Sequence, residues 1–441
     1  MPALQRYKTI IGLGLPIIGG MLSQSVLNLI DAALVGQLGE ASLAGVGIGS
    51  YANFVAISLI LGLSSAVQTL VARRQGQGRG NQSTQPVFVG ILVAMLFALP
   101  LSFMFIQFSE VLVATMTTKD SVQNIAVDYF DYRTAAMIAI AMNLSFRGWW
   151  NGTQRPVTYF KVLIFTHLLN IAVSYCLIFG YAGLPLLGAP GAGLGTAIAL
   201  FSGAYLNGWL VYKDTRLKGL KLFDLTRLPV SSVLRLAIPN SMQQVLFSLA
   251  ICVLMWTISQ IGTEDQAIAH VLINLSLFLI LPAVGFGVAS TTLVSHALGE
   301  QNPAKALQYG WDVIVVAMGG ISLLSIPLLI APEFILNIFL QTQPVIETAI
   351  LPLQLTAIAI ILDAAAIVLA QSLLGVGDGR NVLIITGCSQ WLFYLPLAWF
   401  VGPYLGFGIL GIWIVQLIHR TLSSVVFIAI WKQRHWLKIE I

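Results

Sequence analysis

The sequence predicts an all-α integral membrane protein: about twelve transmembrane helices in two six-helix lobes, related by a parallel pseudo-two-fold repeat. Three observations carry this: the composition, the placement of basic residues and an internal repeat. Of 441 residues, 57% are hydrophobic and 9% charged, against roughly 25% charged in a soluble domain. A soluble core has no use for that much apolar surface. Helices in lipid do, because they face hydrocarbon outward and pair their backbone polar groups internally. The 40 glycines suit helices that approach closely in a bilayer. The first apolar run is too long for a signal peptide, carries a carboxylate and lacks a small-residue cleavage pattern.

Apolar runs between polar breaks place spans near 9–36, 42–72, 86–108, 126–150, 157–180 and 190–212. A second set falls near 232–260, 265–298, 309–332, 345–374, 381–402 and 405–431. Long runs such as 42–72 combine a tilted span with a helical extension into water. The reading divides the chain into an N-lobe (1–212), a cytoplasmic linker (213–231), a C-lobe (232–431) and a cytoplasmic tail (432–441). Cys176, Cys252 and Cys388 all lie inside apolar spans and are expected to be small core residues with no disulfide or metal role.

The basic residues test the count. Arg6, Lys8, Arg73, Arg74, Arg79, Arg147, Arg155 and Lys161 fall on one side if the spans alternate, as do Lys213, Arg216, Lys218, Lys221, Arg227 and Arg235. Lys305, Arg380, Lys432, Arg434 and Lys438 join them, giving 19 of 22 basic residues. Arg420 lies within the last span, and Lys119 and Arg133 fall opposite. The excess marks the cytoplasm and places both termini there, in the inner membrane of a prokaryote. The net charge of +5 therefore needs no nucleic-acid partner.

Residues 16–76 overlay 239–299 without a gap. Pro16 meets Pro239, Gln37-Leu-Gly39 meets Gln260-Ile-Gly262, and Ala44 meets Ala267. Gly62 meets Gly285, Ala66 meets Ala289, Thr69-Leu-Val71 meets Thr292-Leu-Val294, and Gly76 meets Gly299. With two residues inserted, Gly152-Thr-Gln-Arg155 meets Gly377-Asp-Gly-Arg380. An even number of spans per repeat means that both halves enter the membrane in the same sense, an arrangement that many transporters use.

The first-span pattern Leu15-Pro16 with Asn28-Leu-Ile-Asp31-Ala-Ala-Leu-Val-Gly-Gln-Leu-Gly39 resembles the multidrug and toxic compound extrusion (MATE) family. So do Ala289-Ser-Thr-Thr-Leu-Val-Ser-His-Ala-Leu-Gly299 and the repeated Gly-x-x-Arg loops, and the likeness covers essentially the whole chain. The first span is most similar to the DinF branch. The resemblance implies two six-helix lobes and cation-driven export of amphipathic, often cationic, organic compounds.

A carboxylate inside a bilayer costs at least ~2.5 kcal/mol and calls for an explanation. Asp31 lies about 9 Å inside the outer end of span one at helical rise. It is either a carboxylate satisfied by polar neighbours or a protonatable group facing a central cleft. The resemblance favours the second, since the family uses a first-helix carboxylate for cation coupling. Asn28, one turn away, shares its face. Pro16 removes a helix hydrogen bond in mid-span and permits a static kink or a hinge; the resemblance implies bending of this helix on protonation. Leu254 stands at the equivalent of Asp31, so the lobes are chemically unequal. Asn170 and Thr196 match polar cleft positions of the DinF-like pattern, but Ser174 stands where that pattern usually has Asp. Serine donates and accepts hydrogen bonds without changing charge. Asp363 occupies the position of an acid used by sodium-coupled, NorM-type members, while Phe247 lies near the place of their accompanying glutamate. Its alternatives are an ion or substrate ligand and a locally satisfied polar group. Asn143 is a weaker candidate, as consistent with helix packing as with a site. His167 and His270 are expected in satisfied packing roles, and Asp128, Asp131 and Arg133 in a surface ion pair.

The reading that follows is a secondary active exporter: proton-coupled antiport by alternating access, without cofactor or metal, acting as a monomer in the lipid bilayer on small amphipathic compounds. Sodium coupling through Asp363 is the alternative, as is a flippase for lipid-linked saccharides, which usually needs more buried Lys or Arg than these spans hold. An integral-membrane enzyme would need clustered His, Cys or paired acids at one depth. No Gly-rich phosphate loop with its lysine is present to support ATP drive.

Overall fold

The computed structural model describes residues 3–217, 228–340 and 342–439. Among them the secondary structure is helical throughout, with no strand. Twelve long rods follow in order: α1 (Ala3–Gly36), α2 (Glu40–Gly76), α3 (Gly80–Gln107), α4 (Asp120–Ala135 and Met137–Gly152), α5 (Pro156–Phe179) and α6 (Ala189–Leu217). Then come α7 (Val230–Ser259), α8 (Thr263–Gly299), α9 (Pro303–Ile330), α10 (Gln343–Val376), α11 (Gly379–Tyr404) and α12 (Gly408–Gln433). Eleven are long and apolar enough to cross a membrane. The remaining rod, α4, is broken at Ala136 into two helices of 16 residues each, which explains why neither qualifies alone. The twelve expected spans each fall on one of these rods.

Of the expected linker 213–231, residues 218–227 lie outside the described residues, and with them Lys218, Lys221 and Arg227. Of the expected tail, residues 440–441 lie outside as well. Trp436, just past α12, is buried and stacks on Trp431 with ring centroids 4.4 Å apart.

Packing groups the chain into two compact units, Gly19–Gln244 and Met1–Ile18 with Val245–Ile441. The division falls inside α1 and α7 rather than in the linker. The reason is local. In the second unit, Arg6 pairs with Asp312 of α9 at 2.5 Å, Gly14 lies against the Phe286 ring, and Ile18 lies against Gly285 of α8. In the first unit, the Gly62 amide of α2 donates to the Ser241 hydroxyl of α7 at 3.0 Å. A Cβ at Gly62 would collide with the Ala237 carbonyl. Each glycine thus admits the N-terminal part of a repeat-related helix, and Ile18 and Ser241 stand at matching positions.

Buried apolar side chains hold each unit. Leu272, Leu353, Ile360 and Trp413 centre the second. Phe130 packs on Ala52 and Ala56 in the first, while Tyr129, Ile178 and Val35 form a second cluster. In lipid such contacts work through close packing rather than through exclusion of water.

Helix boundaries repeat with the sequence offset. The pairs Gly36 and Ser259, Glu40 and Thr263, Gly76 and Gly299, Gly80 and Pro303, Gln107 and Ile330, Asp120 and Gln343, and Pro156 and Gly379 are each 223 positions apart. The loop overlay that needed two inserted residues is corrected by this register. Gln154 and Gly377, 223 apart, are the positive-φ residues of the two loops, at 59° and 104°. Gly152 therefore corresponds to Gly375. A Cβ on Gly152 would lie 2.9 Å from the Gln68 carbonyl oxygen, and one on Gly375 2.6 Å from that of Thr291.

Candidate functional site

In the first unit, α1 carries Gln24, Asn28 and Asp31 at i, i+4 and i+7, on one face of the helix. Gln24 donates through Nε2 to Asn28 Oδ1 at 3.1 Å, and its Oε1 lies 3.2 Å from Nε2 of His167 on α5. Asn28 therefore bonds back along the helix rather than forward to Asp31. Asp31 is half-buried, and its Oδ1 is buried with no hydrogen-bond partner among the described residues. A buried carboxylate oxygen left without a donor is costly, because it has lost water and gained nothing in return.

A second polar group lies between α5 and α6. Asn170 donates to Thr196 Oγ1 at 2.9 Å, Ser174 donates to Asn170 Oδ1 at 3.2 Å, and Thr196 donates to the Ala192 carbonyl at 2.8 Å. All three side chains are buried. Gly195 permits this: a Cβ there would lie 2.8 Å from Ser174 Cα, so α5 and α6 meet backbone to backbone. The structure thus brings Asn170, Ser174 and Thr196 together. It links Asn28 instead to Gln24 and His167, and no hydrogen bond among the described residues joins either group to Asp31.

Asp363 and Pro16 belong to the second unit. Arg420 of α12 donates through Nη1 to Asp363 Oδ2 of α10 at 2.6 Å. Asp363 is thus an ion-paired carboxylate, its remaining exposure 15%. Phe247 is exposed and supplies no second acid. Pro16 sits within an unbroken α1, two residues before the point where that helix passes from one unit to the other.

Sequence reasoning missed Gln24 altogether, and the contacts of Arg420 and His167. Gln24 was signalled by its place one turn before Asn28. Arg420 was signalled by a basic residue away from either end of a span. His167, expected in a satisfied role, is buried with Nδ1 unpartnered. Arg133 does not pair with Asp128 or Asp131; its Nε faces Asn53 Oδ1 at 3.4 Å and its guanidinium lies 5.9 Å from the Tyr129 ring centre. Asn143 serves packing, donating to the Leu200 carbonyl at 3.0 Å and accepting from Asn207 at 3.1 Å. Cys252 and Cys388 are exposed rather than in the core.

A duplicated bundle of membrane-spanning helices, with an under-bonded acid in one unit and an intramembrane ion pair in the other, defines a membrane transporter rather than an enzyme. A family model, MatE, matches residues 16–176 and 239–400, two stretches that begin 223 positions apart, and the chain belongs to this MATE family of transporters. It is 24% identical over 432 residues to a probable multidrug resistance protein NorM of Mannheimia succiniciproducens, covering 95% of this chain and 92% of that one. It is 27% identical over 419 residues to one of the same name from Bradyrhizobium diazoefficiens, covering 91% and 88%. A solved structure of a MOP superfamily transporter from Pyrococcus furiosus superposes with a TM-score of 0.88 at 21% identity, covering 99% of this chain and 97% of that one.

Proposed function

We propose that this protein is a secondary active multidrug exporter that exchanges protons for amphipathic, often cationic, organic compounds. The observation that carries this reading is Asp31: an intramembrane acid with a buried, unbonded oxygen, on a helix face shared with Gln24 and Asn28. Protonation removes the charge that the site leaves unsatisfied, and proton release restores it, so the two states differ in what the surroundings must supply. The NorM names of the relatives support drug export.

Sodium coupling at Asp363 is less well supported. Arg420 already stands at that carboxylate as a tethered cation, and sodium would also need several neutral oxygens around it.

Pro16 is the proposed hinge. It has no N–H to offer the Gly12 carbonyl, and α1 changes packing unit within the next three residues. Asn170, Ser174 and Thr196, buried and bonded to one another in this structure, are proposed to meet substrate when α5 and α6 part. The protein acts as a monomer, in the inner membrane of a prokaryote, with both termini cytoplasmic, the side marked by the basic residues.

The test is dye efflux from proteoliposomes under an imposed pH gradient, with sodium absent. Efflux that requires sodium when a proton gradient is already present overturns proton coupling and moves attention to Asp363.

A further inference from the structure

The second unit carries an arrangement that proton coupling does not use. Asp363 and Arg420 each stand thirteen residues from the C-terminal ends of α10 and α12, about 20 Å along either helix at 1.5 Å per residue. The two charges are therefore at matching depth in mid-membrane. They are joined by one hydrogen bond, Nη1 to Oδ2 at 2.6 Å. No other N–H of Arg420 finds an acceptor among the described residues, and Asp363 Oδ1 accepts no hydrogen bond from them. Each side chain keeps 15% of its surface. Exposing a charge to hydrocarbon costs at least ~2.5 kcal/mol, so that surface meets water or a ligand.

From this geometry we infer that Asp363 and Arg420 form a binding subsite for a zwitterionic group, an ammonium and a carboxylate on one amphipathic molecule. The planar guanidinium retains the fork of donors that holds a carboxylate with two parallel bonds. The free Oδ1 offers an acceptor to an ammonium. Charge decides between ligand classes. The pair is already neutral, so a lone anion or a lone cation would add a net charge in a region of low dielectric. A zwitterion laid against the pair in opposite sense adds none and satisfies both open ends.

This inference rests on the reading of the chain as an exporter of amphipathic compounds, and its test is chosen to be separable from proton coupling. Three probes share one fluorophore: Nε-dansyl-lysine (zwitterion), dansylcadaverine (cation) and dansyl-aminohexanoic acid (anion). Binding is measured by fluorescence on the full chain in nanodiscs, with no gradient. The expected result is a preference of about ten-fold or more for the zwitterion over either singly charged probe. Arg420→Gln and Asp363→Asn should each remove it, whereas Asp31→Asn should keep it even if it stops transport. Because a single substitution leaves its partner charge unpaired, Asp363→Asn/Arg420→Gln, which removes both charges, is the folding-safe variant, checked by thermal unfolding. Arg420→Lys, which keeps the charge and loses the fork, should weaken the preference. Equal affinity for the three probes in the wild-type chain overturns the inference, as does a preference that survives in the double variant.

Discussion

Arg420 Nη1 lies 2.6 Å from Asp363 Oδ2, a link across 57 residues between α10 and α12 of the second unit. At the repeat-related position of the first unit stands Ile140, and Leu254 of the second unit stands where the first has Asp31. The stripe Gln24, Asn28, Asp31 corresponds at the 223-residue offset to Phe247, Ile251 and Leu254. One backbone plan therefore carries an open acid in one unit and a paired acid in the other. That asymmetry permits two tasks within one duplicated fold.

Removing one member of the Asp363–Arg420 pair should destabilise the protein by about 3 kcal/mol, since it leaves a charge largely buried without its partner. Asp363→Asn is expected to lower the thermal midpoint in detergent, and adding Arg420→Gln should recover most of the loss. An unchanged midpoint in Asp363→Asn would mean that Arg420 has another counter-charge.

Glycine positions give a stability prediction of opposite signs. A Cβ at Gly152 meets the Gln68 carbonyl oxygen at 2.9 Å and the Val71 side chain at 2.8 Å. Both lie in the close packing of α2 on α4, so Gly152→Ala should cost about 1–3 kcal/mol. Gly47, also helical, has nothing within 4 Å of a Cβ. There Gly47→Ala should be neutral or add about 0.4–1 kcal/mol by restricting the unfolded chain. Chemical unfolding of both variants checks the pair.

The twelve rods were legible because apolar length and basic-residue placement are strong signals in a membrane chain, where each span must satisfy its own backbone. At the Gly152 loop, sequence identity points to a register two residues away from the one the structure shows. Sequence identity rewarded the match of Gly152 to Gly377, whereas packing pairs Gly152 with Gly375 against equivalent carbonyls. The boundary between units was not legible. It depends on Gly14, Gly62 and Gly285 admitting a neighbouring helix, and a glycine in sequence does not name what it admits. Of the site, Asn170, Ser174 and Thr196 could be grouped by resemblance, and they meet in space. The partner of Asp363 could not, because α10 and α12 are brought side by side only by the fold.

Topology has its own test. Single cysteines at Leu38, Leu184 and Leu405, in a background lacking Cys176, Cys252 and Cys388, should react with a membrane-impermeant maleimide added outside whole cells. A cysteine at Gln77 should react only after the cells are opened. The basic-residue distribution motivates the assignment. A reversed labelling pattern would place the termini outside and remove the basis for locating Asp31 near the outer end of its helix.

The coupling proposal stands on Asp31, and its substitution is the sharpest check. Asp31→Asn preserves size and gives the position an amide that can donate, but removes the titratable charge. Since Oδ1 of Asp31 has no donor in this structure, little hydrogen bonding is lost. Expression and thermal midpoint should therefore stay near those of the wild type. Efflux driven by an imposed pH gradient should fall to background, because asparagine resembles the protonated acid at every pH and cannot cycle. Asp363→Asn should lower efflux less at matched amounts of folded protein, its carboxylate being engaged by Arg420 rather than open. Ser174→Asp is a harder substitution than sequence suggests. Ser174 is fully buried against Gly195, so a carboxylate there must push α5 from α6 or remain unbonded. It should cost stability, and where folded protein is recovered, its efflux should show a second pH inflection. Near-wild-type efflux by Asp31→Asn would make the carboxylate a tolerated structural group, and the proton would have to be carried elsewhere, with His167, buried beside Gln24, the next residue to substitute.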